Sequence, residues 1–190
     1  MKKINVFDFD KTIYDGDSTL DFYIFCLRKN PQLYKYIPSQ IFAVIKYHIG
    51  CSNITQTKEK CYSFLASVSN LDELIGDFWD ENIKKIKSWY YDKHQEDDVI
   101  ISASPEFLLY PICQRLGISY LIASNVNPKN GKYTGTNCSE DEKVRRFREI
   151  YPNETIDEFY SDSNSDIHLA MISKSAYRVS GNNIEEWDLS

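Results

Sequence analysis

Two aspartates near the start of the chain, Asp8 and Asp10, are the residues whose types and spacing most directly suggest chemistry. They follow the apolar run 4–7, which predicts a buried strand that ends in carboxylates. In an open α/β sheet, ligands bind at the carboxyl ends of the strands. Two adjacent negative charges are electrostatically costly, so the pair indicates a metal cation or a catalytic role more than a solvated turn.

A second polar strand end is Ser102, which follows the apolar residues 99–101. Ser104 and Pro105 come next, with the residue types of a helix N-cap and of a first helical position. Ser102 is therefore expected at the sheet edge beside a helix N-terminus, where backbone N–H groups attract anions. For a serine considered alone, turn formation is the better interpretation.

Lys143 follows the segment 139–142, whose Ser-Glu-Asp-Glu sequence has the pattern of a helix capping box. This pattern places the lysine in the first turn of a helix, where the helix dipole disfavours a cation. The conflict suggests an anionic partner for Lys143, although most lysines on helices are simply solvated.

A second acidic strand end is Asp162, which follows the predicted strand 157–161, and Asp166 comes about one helical turn later. Oxygen ligands close to Asp8 are the kind that Mg²⁺ requires, with water completing the octahedron. The simpler alternative is an N-cap aspartate followed by a surface aspartate.

Short apolar runs predict five strands that position these residues. Four of these strands are followed by helical or long intervening segments. This alternation is typical of a doubly wound parallel sheet. Within 125–137, the pair Asn130-Gly131 predicts a short β-hairpin. The polar segment 182–190 is expected to pack only loosely. The predicted strands are 4–8, 98–102, 119–124, 157–161 and 176–180.

The stretch 17–92 contains no convincing strand and is predicted to be a helical insertion after the first strand. Asn70 and Glu73 have the spacing of a capping box at the start of one amphipathic helix. Ser52 or Asn53 is the predicted start of another helix.

In this order, the motifs resemble those of the haloacid dehalogenase superfamily: DxDx[TV], a strand-end Ser or Thr, a Lys and a strand-end acidic pair. The resemblance covers essentially the whole chain. Ser-Ala-Ser-Pro-Glu and Glu-Lys-Val-Arg-Arg further resemble its phosphoserine-phosphatase-like branch, subfamily IB. One departure is Ser161, where a glycine commonly precedes the last motif. The hallmarks stand here as Asp8, Asp10, Thr12, Ser102, Lys143, Asp162 and Asp166.

The resemblance implies an α/β fold with a doubly wound, Rossmann-like parallel sheet as its core. The core domain would comprise residues 1–16 and 93–190. A helical cap domain of the C1 type, inserted after the first strand, would comprise residues 17–92.

The resemblance also implies a phosphatase mechanism that uses Mg²⁺ as its cofactor. Asp8 would be the nucleophile that forms an aspartyl-phosphate, and Asp10 the general acid and then the general base. Mg²⁺ would be held by Asp8, by the backbone carbonyl of Asp10 and by Asp162.

Three further residues have roles implied by the same resemblance. Ser102 and Lys143 would bind the phosphate oxygens, and Lys143 would also stabilise charge in the transition state. Asp166 would orient Lys143 or the water around the metal.

Substrate specificity is expected to come from the cap, where Asp17 and Arg28 are the candidate residues. The preferred substrate is a small phosphorylated metabolite, with phosphoserine-like compounds among the candidates. The aromatic stretch 33–49 supports an alternative, a lipid phosphate of the phosphatidylglycerophosphate type. A non-catalytic, phosphate-binding regulatory module is the alternative from another class, and it would be expected to lack one of the motif residues.

Composition excludes several other function classes. The net charge of −6 argues against a nucleic-acid partner, which usually requires a basic face. The five cysteines are scattered and odd in number, which favours free thiols in a reducing cytoplasm. The stretch 33–49 is too interrupted to span a bilayer, so a buried helix is predicted and contact with a membrane surface is less favoured. The sequence does not determine an oligomeric state.

Overall fold

The computed structural model describes residues 4–189, so the outermost ends of the predicted core domain, residues 1–3 and 190, lie outside the described part. Within it, the strands are β1 (Ile4–Phe7), β2 (Val99–Pro105), β3 (Tyr120–Ser124), β4 (Ile156–Ser161), β5 (Ser173–Ser180) and β6 (Asn183–Glu186). They form one sheet in the order β3-β2-β1-β4-β5-β6. All neighbouring strands are parallel except β6, which is antiparallel to β5. The predicted α/β class with a doubly wound, mostly parallel sheet is confirmed.

The helices are α1 (Ser18–Lys29), α2 (Ile37–His48), α3 (Ile54–Tyr62), α4 (Leu71–Asn82), α5 (Ser88–Lys93), α6 (Glu106–Arg115), α7 (Asp141–Ile150) and α8 (Ile167–Met171). The first five follow one another between β1 and β2, in the stretch predicted to be helical. We call residues 17–92 the insert.

Strand β1 lies in the middle of the sheet, between β2 and β4. Its four residues are all buried because both faces of the sheet are covered, and for this reason three of the four are apolar, with Asn5 as the exception. Val6 packs in one core cluster and Phe7 in the other, since successive side chains of a strand point to opposite faces. The strand order reverses at β1, so its carboxyl end is a topological switch point, where such sheets bind ligands.

Aromatic packing joins the insert to the sheet. Phe9 and Tyr14, in the loop after β1, contact Trp79 of α4 with ring centroids 5.9 and 5.6 Å apart. The indole N–H of Trp79 donates to the carbonyl of Leu108 in α6 at 2.7 Å, which satisfies its one polar atom. This hydrogen bond ties a helix of the insert to a helix that follows β2.

At two of the predicted helix starts, the observed capping interaction differs from the predicted one. Helix α3 begins after Asn53, one of its two predicted start positions, and Asn53 forms a capping box with Gln56 there. Asn70 makes no side-chain cap at the start of α4, because its amide donates to the carboxylate of Glu73 instead. Helix α7 likewise starts without a side-chain cap, after Glu140 with a positive φ of 51°.

Helix α2 contradicts the prediction of a buried helix in the stretch 33–49. Gln40 is its one buried residue, whereas Phe42 and Ile45 are 58% and 51% exposed. Apolar side chains lie all around the helix, so its composition does not distinguish a core position from a surface one. No helix within residues 4–189 is long and apolar enough to cross a bilayer.

Other differences concern segments outside the insert. The predicted hairpin around Asn130-Gly131 is reduced to a single antiparallel bridge between Val126 and Tyr133. The loop turns instead against the insert, where the Tyr133 N–H donates to Glu59 at 2.9 Å. The polar C-terminal segment, expected to pack loosely, contains β6, which covers the edge of β5.

Gly131 provides a test of this contact between the loop and the insert. Its φ is +74°, and an added Cβ would lie 2.4 Å from the carbonyl oxygen of Tyr62. Gly131→Ala combines backbone strain with this overlap, so we expect the free energy of unfolding to fall by about 2–4 kcal/mol. Urea denaturation measures the change.

Gly50 is the matched control, because its φ is +75° and nothing lies within 4 Å of an added Cβ. Gly50→Ala should cost only the backbone strain, about 1 kcal/mol. Equal losses in the two variants would show that the contact with Tyr62 contributes nothing.

Candidate active site

A buried ion triad lies at the carboxyl end of β1. The Lys143 ammonium is 2.8 Å from Asp8 Oδ1 and 2.8 Å from both carboxylate oxygens of Asp166. All three residues are buried, at 7% exposure or less. The structure thus brings together three motif residues that are far apart in the sequence. Asp8 and Asp166 are the anionic partners that the position of Lys143 suggested.

Hydroxyl groups fix the carboxylates of this triad. Thr12 donates to Asp8 Oδ2 at 3.3 Å and accepts from the backbone N–H of Asp162 at 3.0 Å. Ser161 donates to Asp166 at 2.7 Å. The serine that departs from the superfamily pattern therefore orients the acidic residue behind Lys143.

Asp10 lies on the same loop as Asp8 but faces other partners. Its carboxylate accepts from the backbone N–H of Ser18 at 2.6 Å and from the Ser104 hydroxyl at 2.5 Å. The chain bends sharply beyond it, since Lys11 has a positive φ of 58°. The two aspartates have different partners although they are only two residues apart.

Ser102 is buried at the end region of β2, where its hydroxyl accepts from the backbone N–H of Ser104 at 3.1 Å. Ser104 was predicted to be a helix N-cap, and this prediction is wrong. Helix α6 begins at Glu106 with Pro105 in the cap position, and the Ser104 hydroxyl is bound to Asp10. The Ser104 hydroxyl donates to a carboxylate, a charge-assisted hydrogen bond that holds the side chain at Asp10.

Burial disfavours the charged forms of the acids in this site. It raises the pKa of Asp8 to about 7, although the ammonium of Lys143 acts in the opposite direction. Burial also raises the pKa of Asp10, against the hydrogen bonds from Ser104 and Ser18. The pKa of Asp162 is raised by burial as well. Asp8, Asp10, Asp162 and Asp166 are four acids, and within residues 4–189 Lys143 is the lysine that forms ion pairs with them, namely with Asp8 and Asp166.

A divalent cation fits this surplus of acid. Asp8 and Asp162 offer hard carboxylate oxygens, and Thr12 joins the loop after β1 to the backbone of Asp162. Within residues 4–189 there is no ready cluster of three acidic, His or Cys side chains around one point. Two carboxylates, a backbone carbonyl such as that of Asp10, and water form a donor set that Mg²⁺ accepts.

Of the two predicted specificity residues, one lies at the site and one does not. Asp17 caps α1 by accepting from the Leu20 N–H at 2.9 Å, and it also lines the cavity beside Asp10. The Arg28 side chain is 62% exposed, contacts Glu81 at 3.4 Å and is not part of the cavity lining.

Lys58 is a residue of the site that sequence reasoning missed. It projects from α3, and its ammonium donates to Asn137 at 3.1 Å and to the Ala103 carbonyl at 3.4 Å. Burial lowers its pKa, and the charges of Asp17 and Asp10 oppose that shift. Its position four residues before the buried Tyr62 places it on the inward face of the helix, and this was the available signal.

A cavity of about 660 Å³ opens between this site and the insert. Asp10, Ser104 and Pro105 line it on the side of the sheet, while α1, α2 and α3 line it on the side of the insert. Ligand pockets in proteins commonly have volumes of this size. Asp10 thus faces a space that can hold a small molecule, whereas Asp8, Lys143 and Asp166 are not part of its lining.

Comparison with known proteins identifies the family. The model of the family "haloacid dehalogenase-like hydrolase" matches residues 6–171, so the chain belongs to the haloacid dehalogenase-like hydrolases. The predicted family and the prediction of an enzyme are confirmed.

Two curated relatives are similar to the chain. A histidinol-phosphatase of Neisseria meningitidis serogroup C (strain 8013) is 23% identical over 89% of this chain and 86% of that protein. Protein CicA of Caulobacter vibrioides is 32% identical, but the match covers only 43% of this chain and 40% of that protein.

Solved structures show the same fold. A protein of unknown function from Bordetella pertussis Tohama I matches with a TM-score of 0.73 at 22% identity, over 90% of this chain and 87% of that one. A phosphoserine phosphohydrolase-like protein from Francisella tularensis matches with a TM-score of 0.56 at 19% identity, over 93% and 86%. At these identities the likeness concerns the fold alone.

Lys143→Met tests the ion triad without reference to activity. It leaves two buried carboxylates facing each other without their cation, so we expect a loss of about 3–5 kcal/mol in the free energy of unfolding at pH 7.5. Without the ammonium, the folded-state pKa of Asp8, which burial already raises to about 7, would rise further above its unfolded value. Since the native state then binds more protons than the unfolded state, the loss should shrink on going to pH 5. Urea denaturation at both pH values measures this.

Lys174→Met is the control, because Lys174 pairs with Asp157 at 2.7 Å but its side chain is 56% exposed. Removing this exposed pair should change stability by less than about 1 kcal/mol, with little dependence on pH. A Lys143→Met protein that behaved like this control would contradict the assigned role of the triad.

Proposed function

We propose that this protein is a Mg²⁺-dependent phosphomonoester hydrolase that acts through an aspartyl-phosphate intermediate. The observation that carries the proposal is the difference between two aspartates within one loop. Asp8 is paired with a buried lysine, whereas Asp10, two residues later, faces the cavity and is held by neutral donors. A nucleophile and a proton donor need these two different environments.

Asp8 is the proposed nucleophile. Its hydrogen bonds to Lys143 and Thr12 leave the carboxylate little freedom to rotate, which presents one oxygen to phosphorus in a defined direction. A new bond forms between this oxygen and phosphorus as the bond to the substrate alcohol breaks. Water then hydrolyses the aspartyl-phosphate to release phosphate and restore Asp8.

Asp10 is the proposed general acid and base. Its pKa is raised by burial, which favours the protonated form that can donate to the leaving alcohol. The hydroxyl of Ser104 and the N–H of Ser18 keep its carboxyl group at the edge of the cavity. Once deprotonated, the same group can accept a proton from the water that attacks the intermediate.

Ser102 and Lys143 are the proposed phosphate-binding residues. The Ser102 oxygen already accepts from the Ser104 N–H, so its own proton remains available for a phosphate oxygen. The pKa of Lys143 is lowered by burial, but its two carboxylate partners outweigh this effect and raise it, so the side chain stays cationic. Asp166 and Ser161 hold that cation in position.

Asp8, Asp162 and the backbone carbonyl of Asp10 are the residues proposed to hold Mg²⁺. When bound, this ion neutralises the negative charge that the carboxylates and the substrate phosphate would otherwise bring together.

The substrate is proposed to be a small-molecule phosphomonoester. The sequence-based preference for a small phosphorylated metabolite of the phosphoserine type retains Asp17 as a candidate contact for an amine. Arg28 does not support a phosphoserine-type substrate, because its exposed side chain is paired with Glu81. We propose a cytoplasmic location, because the five cysteines are free thiols.

Asp8→Asn provides the most direct test of the mechanism. The wild-type protein with Mg²⁺ should release phosphate from phosphomonoesters, and the variant should show no turnover because the amide is not a nucleophile. Release of inorganic phosphate, measured with Mg²⁺ and with EDTA, checks both expectations. The control is Asp80→Asn, since the Asp80 side chain is 70% exposed and paired with Arg115 on the surface.

Turnover that survives in Asp8→Asn would overturn the nucleophile assignment. A folded, Mg²⁺-loaded wild-type protein that binds phosphate but hydrolyses no phosphomonoester would instead support a non-catalytic binding module.

Asp10→Asn tests the general acid through the leaving group. With an alkyl phosphate, kcat/KM should fall by about 10²- to 10⁴-fold, because the alkoxide needs a proton to depart. With p-nitrophenyl phosphate the fall should be much smaller, since nitrophenolate departs without one. Because kcat/KM reports the first irreversible step, later hydrolysis of the intermediate does not mask the contrast. Equal losses with both substrates would contradict the assignment.

A further inference from the structure

The lining of the cavity is polar near Asp10 and apolar farther away. Asp10 and Ser104 contribute polar groups from the core, and Asp17, Thr19 and Lys58 contribute them from the insert. The rest of the insert side is an apolar wall of aliphatic and aromatic side chains from α1, α2 and α3.

Gln40 is the polar residue within this apolar wall, and its hydrogen-bonding groups are occupied by the protein. Its side-chain amide donates to the Cys61 carbonyl at 2.8 Å, and its carbonyl oxygen accepts from the Tyr23 hydroxyl. The residue joins α1, α2 and α3 to one another rather than facing a ligand. A charged or strongly polar group placed against this wall would lose its hydration without replacement.

The position of Asp10 defines which part of a substrate enters the cavity. Under the proposed function, this residue protonates the oxygen of the leaving alcohol, so the alcohol lies on the side of Asp10 that faces the cavity. The phosphate lies on the other side, toward Asp8 and Lys143. The apolar wall of the insert therefore faces the carbon skeleton of the alcohol.

We propose that the cavity is a binding site for a hydrocarbon group, so that the substrate is an amphiphilic phosphomonoester whose alcohol carries an aliphatic chain. This inference rests on the proposed phosphatase function and specifies its substrate class. In the reaction, the bond between phosphorus and the alcohol oxygen breaks, the alcohol takes the proton of Asp10, and water later supplies the oxygen of the released phosphate. The apolar chain itself remains unchanged.

The exposure of α2 supports this assignment. Ile41 and Ile45 line the cavity yet are 55% and 51% exposed, so they form an apolar entrance that is covered by no other part of the described chain. Exposed apolar patches of this kind mark binding sites. A chain that entered between these residues would remove their surface from water together with its own.

A series of n-alkyl monophosphates tests the proposal: ethyl, butyl, hexyl and octyl phosphate, each below the concentration at which it aggregates. In the wild-type protein with Mg²⁺, kcat/KM for phosphate release should rise roughly two- to fourfold with each added methylene, since each buries apolar surface. Phosphoserine, which has a short and charged skeleton, should be a poorer substrate than hexyl phosphate.

Two neighbouring residues of α2 form a matched pair of variants. Ile41 lines the cavity and Phe42 does not, while their exposures of 55% and 58% are nearly equal. Ile41→Glu should abolish the dependence of kcat/KM on chain length, because it places a charge at the apolar entrance of the cavity. Phe42→Glu should preserve the dependence. Circular dichroism and thermal unfolding confirm that both variants are folded.

The outcomes separate this inference from the proposed function. Absence of Mg²⁺-dependent release from every phosphate, ethyl phosphate included, would overturn the phosphatase function itself. Hydrolysis of ethyl phosphate without any gain along the series would overturn the hydrocarbon site alone. The hydrocarbon site would also be overturned if Ile41→Glu and Phe42→Glu behaved alike.

A parallel assay identifies the source of the amphiphile. Phosphatidate with dioleoyl chains is presented in phosphatidylcholine vesicles, and its hydrolysis is compared with that of monomeric octyl phosphate. One supporting outcome is that Phe42→Glu lowers the rate of phosphatidate hydrolysis in vesicles but leaves the rate for octyl phosphate unchanged. The source of the amphiphile would then be a membrane. Cleavage of monomeric octyl phosphate alone supports the same site with a dissolved amphiphile as the source.

Discussion

The contact of Lys143 with Asp8 and Asp166 is the interaction on which the rest of the site depends. An ammonium group buried without anionic partners would be strongly destabilising, and so would two buried carboxylates without a cation. The triad therefore requires the ends of β1 and β4 and the first turn of α7 to meet at one point. The lysine lies at the helix end where the dipole opposes it, so the two carboxylates must outweigh both burial and the dipole. The parallel order of the strands, with β1 at the centre, is what brings these ends together.

Small hydroxyl residues convert this electrostatic contact into a defined geometry. Thr12 links Asp8 to the backbone of Asp162, Ser161 orients Asp166, and Ser104 holds Asp10. Each hydroxyl can donate to a carboxylate without adding charge, so the acidic groups are positioned while space for a further cation is preserved. The loop after β1 can thus present two aspartates in different directions and in different environments.

Much of this arrangement could be predicted from the sequence, because polar residues after apolar runs lie at one edge of a parallel sheet wherever the chain crosses it. Asp8 and Asp162 follow from that rule, whereas Lys143 was predicted from a capping-box pattern that places it in the first turn of a helix. The errors arose where tertiary contacts decide the position of a side chain: Ser104 has the residue type of a helix cap, but its hydroxyl donates to Asp10. Lys58 was missed because a lysine on a helix is ordinarily solvated, and only the path of α3 turns it inward. For α2, composition indicated apolar contacts but could not distinguish contacts with the core from contacts with a ligand.

The apolar wall of the insert and the charged end of the sheet act on each other. Electrostatic interactions strengthen as water leaves, so a hydrocarbon chain that fills the cavity would strengthen the hold of Lys143 and Ser102 on the phosphate. A filled cavity would also keep water away from phosphorus until the alcohol departs, because the alcohol leaves and the water attacks on the same side, that of Asp10. Departure of the chain would then admit the water that Asp10 activates. Under the proposed function, an apolar leaving group would thereby order the two half-reactions, which a small hydrated alcohol in a 660 Å³ cavity would not do.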